Sequence, residues 1–120
     1  MTTLSTHVLD VELGAPAAGV PIALFRREPP LDPYGPIALV WVAEAETNAD
    51  GRIPDLGNGS PLETGTYRLV FEVAAYFARQ GRPAPFLQRV TIDFQVNAAD
   101  PHYHVPLLLS RFACTSYRGS

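Results

Sequence analysis

A single cysteine, Cys114, stands in 120 residues, which excludes an intramolecular disulfide and any multi-cysteine metal site. Such sparing use fits a reducing compartment. Lysine is absent altogether: the 9 basic residues are all arginines, placed singly or in pairs, and 12 acidic ones bring the net charge to -3. Without a basic stripe, nucleic acid and anionic membrane are poor partners. The chain also lacks the run of about 18 apolar residues that a membrane-spanning helix needs. Its start, Met1 to Leu13, has neither the basic n-region nor the unbroken apolar stretch of a secretion signal. The expectation is a cytoplasmic protein.

What remains is an ordinary globular composition, 47% hydrophobic and 18% charged, so one hydrophobic core is expected. The length suits one domain over residues 1–120. The 12 prolines and 9 glycines punctuate short elements. Strands are predicted at Val20–Phe25, Ile37–Val42, Thr66–Val73 and Arg89–Val96, which are β-branched or aromatic and bounded by Gly, Pro, Asn or Asp. Leu4–Leu13, His102–Leu109 and a short piece ending at Tyr117 bring the count to about seven or eight, that of an all-β sandwich. One short helix is predicted over Ala74–Arg79, stopping at Gly81 with Pro83 beyond. The stretches Arg26–Pro36 and Leu56–Pro61 hold most of the turn residues and read as surface loops.

Only 3 histidines occur. His102 and His104 are two apart, so on a strand they share a face with Pro106 and Leu108. Imidazoles at that spacing can chelate a metal, but no cysteine cluster or carboxylate pair lies nearby to complete a closed site. His102, beside Asp100-Pro101, reads as a solvated residue at a loop end. His7 lies in phase with Leu9, Val11 and Leu13, a polar head on an apolar row, and alone it reads as a structural histidine. Arg52 follows the tight turn Asp50-Gly51, and its use, if any, is a fixed charged fork for a carbonyl or an oxyanion. Termini are ordinarily disordered, so Thr115–Ser120 read alone is a mobile end.

Together these segments resemble the 5-hydroxyisourate hydrolases, the enzymatic branch of the transthyretin-like family. The stretches that carry the resemblance are Leu4-Ser-Thr-His-Val-Leu-Asp10, Gly14-Ala-Pro-Ala-Ala-Gly-Val-Pro21, Asp50-Gly-Arg52, Gly65-Thr-Tyr-Arg-Leu-Val-Phe71, His102-Tyr-His-Val-Pro-Leu-Leu-Leu-Ser110 and Tyr117-Arg-Gly-Ser120. The first, the fifth and the terminal tetrapeptide are the specific ones. The sequence departs from the family pattern at Arg111, where proline is common, at Cys114, where an aromatic residue is usual, and in Phe86-Leu-Gln-Arg-Val90, which lacks a proline-glutamate pair.

The resemblance implies an eight-stranded, two-sheet sandwich with one short helix, assembled as a homotetramer with sites at the dimer–dimer interface. It implies hydrolytic opening of 5-hydroxyisourate to a ureidoimidazoline carboxylate in urate breakdown, with no cofactor and no metal. Carried onto this chain, the catalytic residues fall on His7, Arg52 and His104. The substrate-contacting end falls on Tyr117, Arg118, Gly119 and Ser120. In such a reaction the two histidines would activate water and shuttle its proton as a pair, while Arg52 would stabilise the negative charge on the carbonyl oxygen. The alternatives are a transthyretin-type carrier of small ligands, which would lack the first-strand histidine, the Gly-Arg pair and the Tyr-Arg-Gly-Ser ending, and a generic sandwich scaffold in which the three residues are unrelated.

Overall fold

A computed structural model describes residues 1–29 and 32–120; residues 30 and 31, inside the loop expected over Arg26–Pro36, lie outside the described residues. The strands are β1 (Thr3–Asp10), β2 (Ala15–Pro16), β3 (Pro21–Glu28), β4 (Ala38–Glu46), β5 (Arg52–Ile53), β6 (Gly65–Phe71), β7 (Val90–Val96), β8 (His102–Leu109) and β9 (Cys114–Ser116), with one helix, α1 (Val73–Arg79). They form two sheets, an all-β sandwich. One sheet runs β2-β1-β8-β9, with β5 also pairing to β1, and the other runs β4-β3-β6-β7. Among the described residues no helix is long and apolar enough to cross a membrane.

The alternation legible in the sequence is the alternation that buries. In β1, residues Leu4, Thr6, Val8 and Asp10 point inward while Thr3, Ser5, His7 and Leu9 point out. Leu24, Leu69, Phe71, Leu107 and Leu109 complete the core from the other strands. Burial of such side chains is worth about 1.5–3 kcal/mol each, which is what holds the two sheets face to face. Seven strands lie where the alternation puts them, with ends moved by a few residues. The two-residue strands β2 and β5 are too short to have any periodicity.

β1 is shorter than expected. The predicted strand runs to Leu13, but it stops at Asp10, whose Oδ1 accepts the N–H groups of Glu12 (3.1 Å) and Leu13 (3.2 Å) and turns the chain. Val11 and Leu13 therefore leave the row of His7 and stand exposed. The other carboxylate oxygen of the fully buried Asp10 accepts from Tyr76 Oη of α1 (2.8 Å) and from Arg82 Nη1 (2.6 Å). The helix thus clamps the end of the first strand. Arg82 and Arg111 also reach Glu12, at 2.7 and 3.0 Å. The Arg111 N–H donates to Glu12 Oε1 at 3.0 Å, a bond that a proline at this position could not make.

Candidate active site

β1 runs parallel to β8, an arrangement that brings the start of the chain beside its end. The register sets Thr3 opposite His102, Ser5 opposite His104, His7 opposite Pro106 and Leu9 opposite Leu108. All eight fall in the row that alternates with the core-facing residues, and all but the buried Pro106 are at least partly exposed. On the other edge of β1, antiparallel β5 sets Arg52 directly opposite His7. Adjacent strands lie about 4.8 Å apart and a residue advances about 3.3 Å, so His7 and His104, related by a diagonal, have Cα atoms about 8 Å apart. His7, Arg52 and His104 therefore share one face within reach of a single small ring.

Arg52 is held by the turn that precedes it. Asn48 Oδ1 accepts the N–H groups of Asp50 (2.9 Å) and Arg52 (3.0 Å), and Gly51 N–H donates to Asn48 O at 2.9 Å. Gly51 has φ of 73°, and a Cβ there would lie 2.4 Å from the Val8 carbonyl oxygen. Only glycine both adopts that conformation and lets the turn press against β1. The guanidinium of Arg52 is exposed at the sheet surface.

His104 is half-buried and held on two sides. Its Nδ1 lies 2.7 Å from Ser5 Oγ, and its carbonyl accepts the Gly119 N–H at 2.7 Å. Burial depresses the basicity of the ring, and the charges of Arg52, His102 and His7 depress it further, so the imidazole is held below the usual histidine value of 6.5. At neutral pH it is a neutral ring, the form that can accept a proton. Among the described residues its Nε2 has no hydrogen-bond partner.

The tail packs back on the sheet, as β9 and then a single bridge at Gly119. Ser110 and Ala113 close a tight loop, Ser110 N–H donating to Ala113 O at 2.9 Å, and β9 returns antiparallel with Thr115 opposite Leu108. Continuing this register, Gly119 forms an isolated bridge with His104. The His104 ring lies over Gly119, where a Cβ would sit 2.6 Å from His104 Cδ2. Glycine is thus a steric requirement of the histidine. Tyr117, just past β9, is exposed. Arg118 goes the other way: its guanidinium lies 4.2 Å from the Tyr103 ring centroid, 3.4 Å from His102 O and 3.9 Å from the Asp100 carboxylate. Tyr103 belongs to the core side of β8, so Arg118 pins the tail and does not stand beside His7 and Arg52. Ser120 follows Gly119 and is exposed.

His102 departs from the expectation of a merely solvated residue. Its Nδ1 lies 2.5 Å from Thr3 Oγ1 and its Nε2 lies 2.8 Å from Ser5 Oγ. The two imidazoles that could chelate a metal by spacing are instead bridged by the Ser5 hydroxyl. Among the described residues no group of three or more His, Cys, Asp or Glu side chains is placed to hold a metal ion. Sequence reasoning missed Ser5. It lies two residues before His7, which puts it on the same face, but its meeting with His102 and His104 depends on a pairing between chain ends that no local pattern announces.

The site is an open sheet face. A cleft of about 470 Å³ lined by Thr64, Gly65, Thr66, Gln95, Val96, Asn97 and Tyr103 lies apart from it. Exposed apolar side chains, Val11, Leu13, Phe112 and Tyr117, stand at the margin of the same sheet, the first three on neighbouring loops joined by the Glu12–Arg111 ion pair.

Residues 4–119 match the HIUase/Transthyretin family. A 5-hydroxyisourate hydrolase of Caulobacter vibrioides is 43% identical over 123 residues, covering 100% of each chain. One of Deinococcus radiodurans is 46% identical over 121 residues, covering 98% of this chain and 95% of its own. Among solved structures, the 5-hydroxyisourate hydrolase of Klebsiella pneumoniae superposes with a TM-score of 0.82 at 40% identity, covering 100% of each chain. The transthyretin of Sparus aurata gives 0.83 at 28% identity, covering 98% of this chain and 96% of its own. The fold alone does not separate the hydrolase from the transthyretin.

Proposed function

This chain belongs to the HIUase/Transthyretin family, and from that premise we propose that residues 1–120 act as one hydrolase domain that opens the ring of 5-hydroxyisourate to give a ureidoimidazoline carboxylate. The observation that carries the reading is the convergence of His7, Arg52 and His104 on one face of the β5-β1-β8 sheet.

Opening a cyclic amide needs a nucleophilic water, a polarised carbonyl and a proton for the departing nitrogen. His104, neutral by virtue of burial and its cationic neighbours, accepts the proton of water. His7, on the adjacent strand, shares the shuttling of that proton. Arg52 is permanently charged and stabilises the oxyanion as it forms. Positioned acid–base groups give roughly 10²- to 10⁴-fold acceleration, and loss of one oxyanion donor costs about 3–4 kcal/mol in a reference enzyme. Tyr117 and Ser120 line the same end and contact the substrate. Gly119 gives His104 its room, and Arg118 holds the tail from the Tyr103 side.

An open face leaves a growing oxyanion in water, where a charged donor is worth little. A second copy laid over this sheet would exclude solvent, and the exposed Val11, Leu13 and Phe112 beside it supply apolar area for such a contact. We infer that the chain works as the assembly the resemblance implies, a homotetramer formed as a dimer of dimers with the sites between dimers. Its single exposed thiol, Cys114, suits work in a reducing compartment such as the cytoplasm.

The test is to generate 5-hydroxyisourate freshly with urate oxidase and follow its loss spectroscopically. Accelerated loss in the presence of the protein is the expected result. Saturable binding with the uncatalysed decay rate would instead establish a small-ligand carrier, the alternative reading; a sea bream transthyretin of the same fold is solved in complex with thyroxine.

A further inference from the structure

A run of side chains on the outward face ends on His104, and its other members have no part in the reaction as described. Thr3 Oγ1, His102, Ser5 Oγ and His104 follow one another at 2.5, 2.8 and 2.7 Å. A serine hydroxyl carries one proton and two acceptor lone pairs. Placed between His102 Nε2 and His104 Nδ1, it can donate to only one of them. The other ring nitrogen must bring its own proton. The tautomers of the two imidazoles are therefore locked in opposite senses toward Ser5.

We propose that Ser5 and His102 are positioning residues for the hydrolysis: Ser5 fixes the tautomer of His104, and His102 takes over the positive charge when His104 is protonated. This rests on the reading of His104 as the base. In the resting state Thr3 accepts from His102 Nδ1–H, Ser5 donates to His102 Nε2, and His104 Nδ1–H donates to Ser5. Nε2 of His104 is then bare and faces the water.

When water attacks the ring carbonyl, a C–O bond forms and the water O–H bond breaks, its proton going to His104 Nε2. The His104 Nδ1–H bond then breaks as a new Ser5 O–H bond forms, and the old Ser5 proton passes to His102 Nε2. One N–H and one O–H are lost, and one of each is made. Charge moves from His104 to His102. The reverse shift accompanies delivery of the Nε2 proton to the departing nitrogen as the C–N bond breaks.

Electrostatics favours that transfer. The ionisable groups that act on His104 are Arg52 on β5, His7 on β1 and His102 on its own strand, and a positive charge on any of them disfavours an imidazolium there. From the tail, the Gly119 backbone packs against it. His102 is exposed, two strands from Arg52, and its strand end carries the Asp100 carboxylate, which Arg118 approaches to 3.9 Å. A positive charge is better solvated on His102 than beside Arg52.

The test compares Ser5→Ala, Ser5→Thr and His102→Gln with the parent in kcat, KM and pH profile, together with ¹⁵N NMR of the histidine rings of the unmodified protein. Ser5→Ala should lower kcat about 10- to 100-fold with KM little changed, and Ser5→Thr should restore most of it, since tautomer control is part of what a positioned base supplies. His102→Gln should lower kcat, move the acid limb of kcat/KM to lower pH, since His104 must then hold the proton unaided, and recover with added imidazole. The resting spectra should show His104 protonated at Nδ1 and His102 bare at Nε2. Parental kcat and pH profiles in both Ser5→Ala and His102→Gln, beside an inactive His104→Ala, would overturn the proposal. Should the parent itself fail to turn over 5-hydroxyisourate, the functional reading falls. The NMR then decides the tautomer lock separately: matching protonation of both rings toward Ser5 would overturn it.

Discussion

Burial acts first against a charged His104, and the Arg52 guanidinium acts next. The pH dependence follows from the sign of both. A base whose value is held below 6.5 stays in its working, neutral form as pH falls past that point. The acid limb of kcat/KM should therefore lie below 6.5, and Arg52→Ala should move it upward while lowering the rate. An acid limb that stays in place in Arg52→Ala, read from initial rates between pH 5 and 8, would show that the guanidinium does not face the ring. Gly119 offers a second test at this scale. A Cβ 2.6 Å from His104 Cδ2 must displace either the imidazole or the tail, so Gly119→Ala should cut kcat/KM about 10-fold or more if the base is to be held in place. The melting temperature should hardly change, because the residue lies outside the core. Parental turnover in Gly119→Ala would mean that the ring position is not critical. Neither the steric fit of Gly119 nor the bridging of Ser5 was legible in the sequence: Ser5 meets imidazoles about a hundred residues away, and Gly119 meets His104 only because the chain folds back after β8. His7, Arg52 and His104 were legible because the motifs around them are local.

Among elements, the first strand does the most. It carries Ser5 and His7, pairs with β5, β2 and β8, and is fixed at its end by α1. The fixing group is Asp10. Burial pushes its carboxyl up, but hydrogen bonds from Arg82, Tyr76 and the Leu13 N–H, with the Arg82 charge, outweigh this and hold it below 3.8. A carboxyl with a lower value folded than unfolded contributes stability above pH 3.8 that is lost as pH falls through its folded value. Asp10→Asn should thus destabilise the protein by about 3 kcal/mol at pH 7, the lower end for breaking a buried pair. The difference should shrink at acid pH. Equal urea midpoints at pH 7 would contradict the clamp. Alternation in β1, β3, β6 and β8 was readable because each buries one face. The end of β1 was not, because Val11 and Leu13 continue the apolar period while the Asp10 side chain turns the backbone away. β4 shows the opposite limit: its apolar residues Val40 and Trp41 form a strand, as expected, yet stand exposed on the sheet edge.

For the whole molecule, the site lies on a face that needs a cover. Turnover and assembly should rise and fall together. Replacing Leu13 and Phe112 by Glu should shift sedimentation toward smaller species and lower kcat in parallel, and a fully active monomer at assay concentration would contradict the coupling. The expectation of assembly comes from the resemblance, and the exposure of these side chains, a property of the folded surface, is what supports it. The account's central claim is that groups from β5, β1 and β8 work on one carbonyl. The most direct measurement is kcat/KM toward 5-hydroxyisourate for Arg52→Ala, His104→Ala and the double variant. Residues that act as a unit are strongly non-additive. Each single change should cost about 10²- to 10⁴-fold, and the double variant should lose little more than the worse single. Losses that multiply, or a single variant with the parental rate, would contradict it.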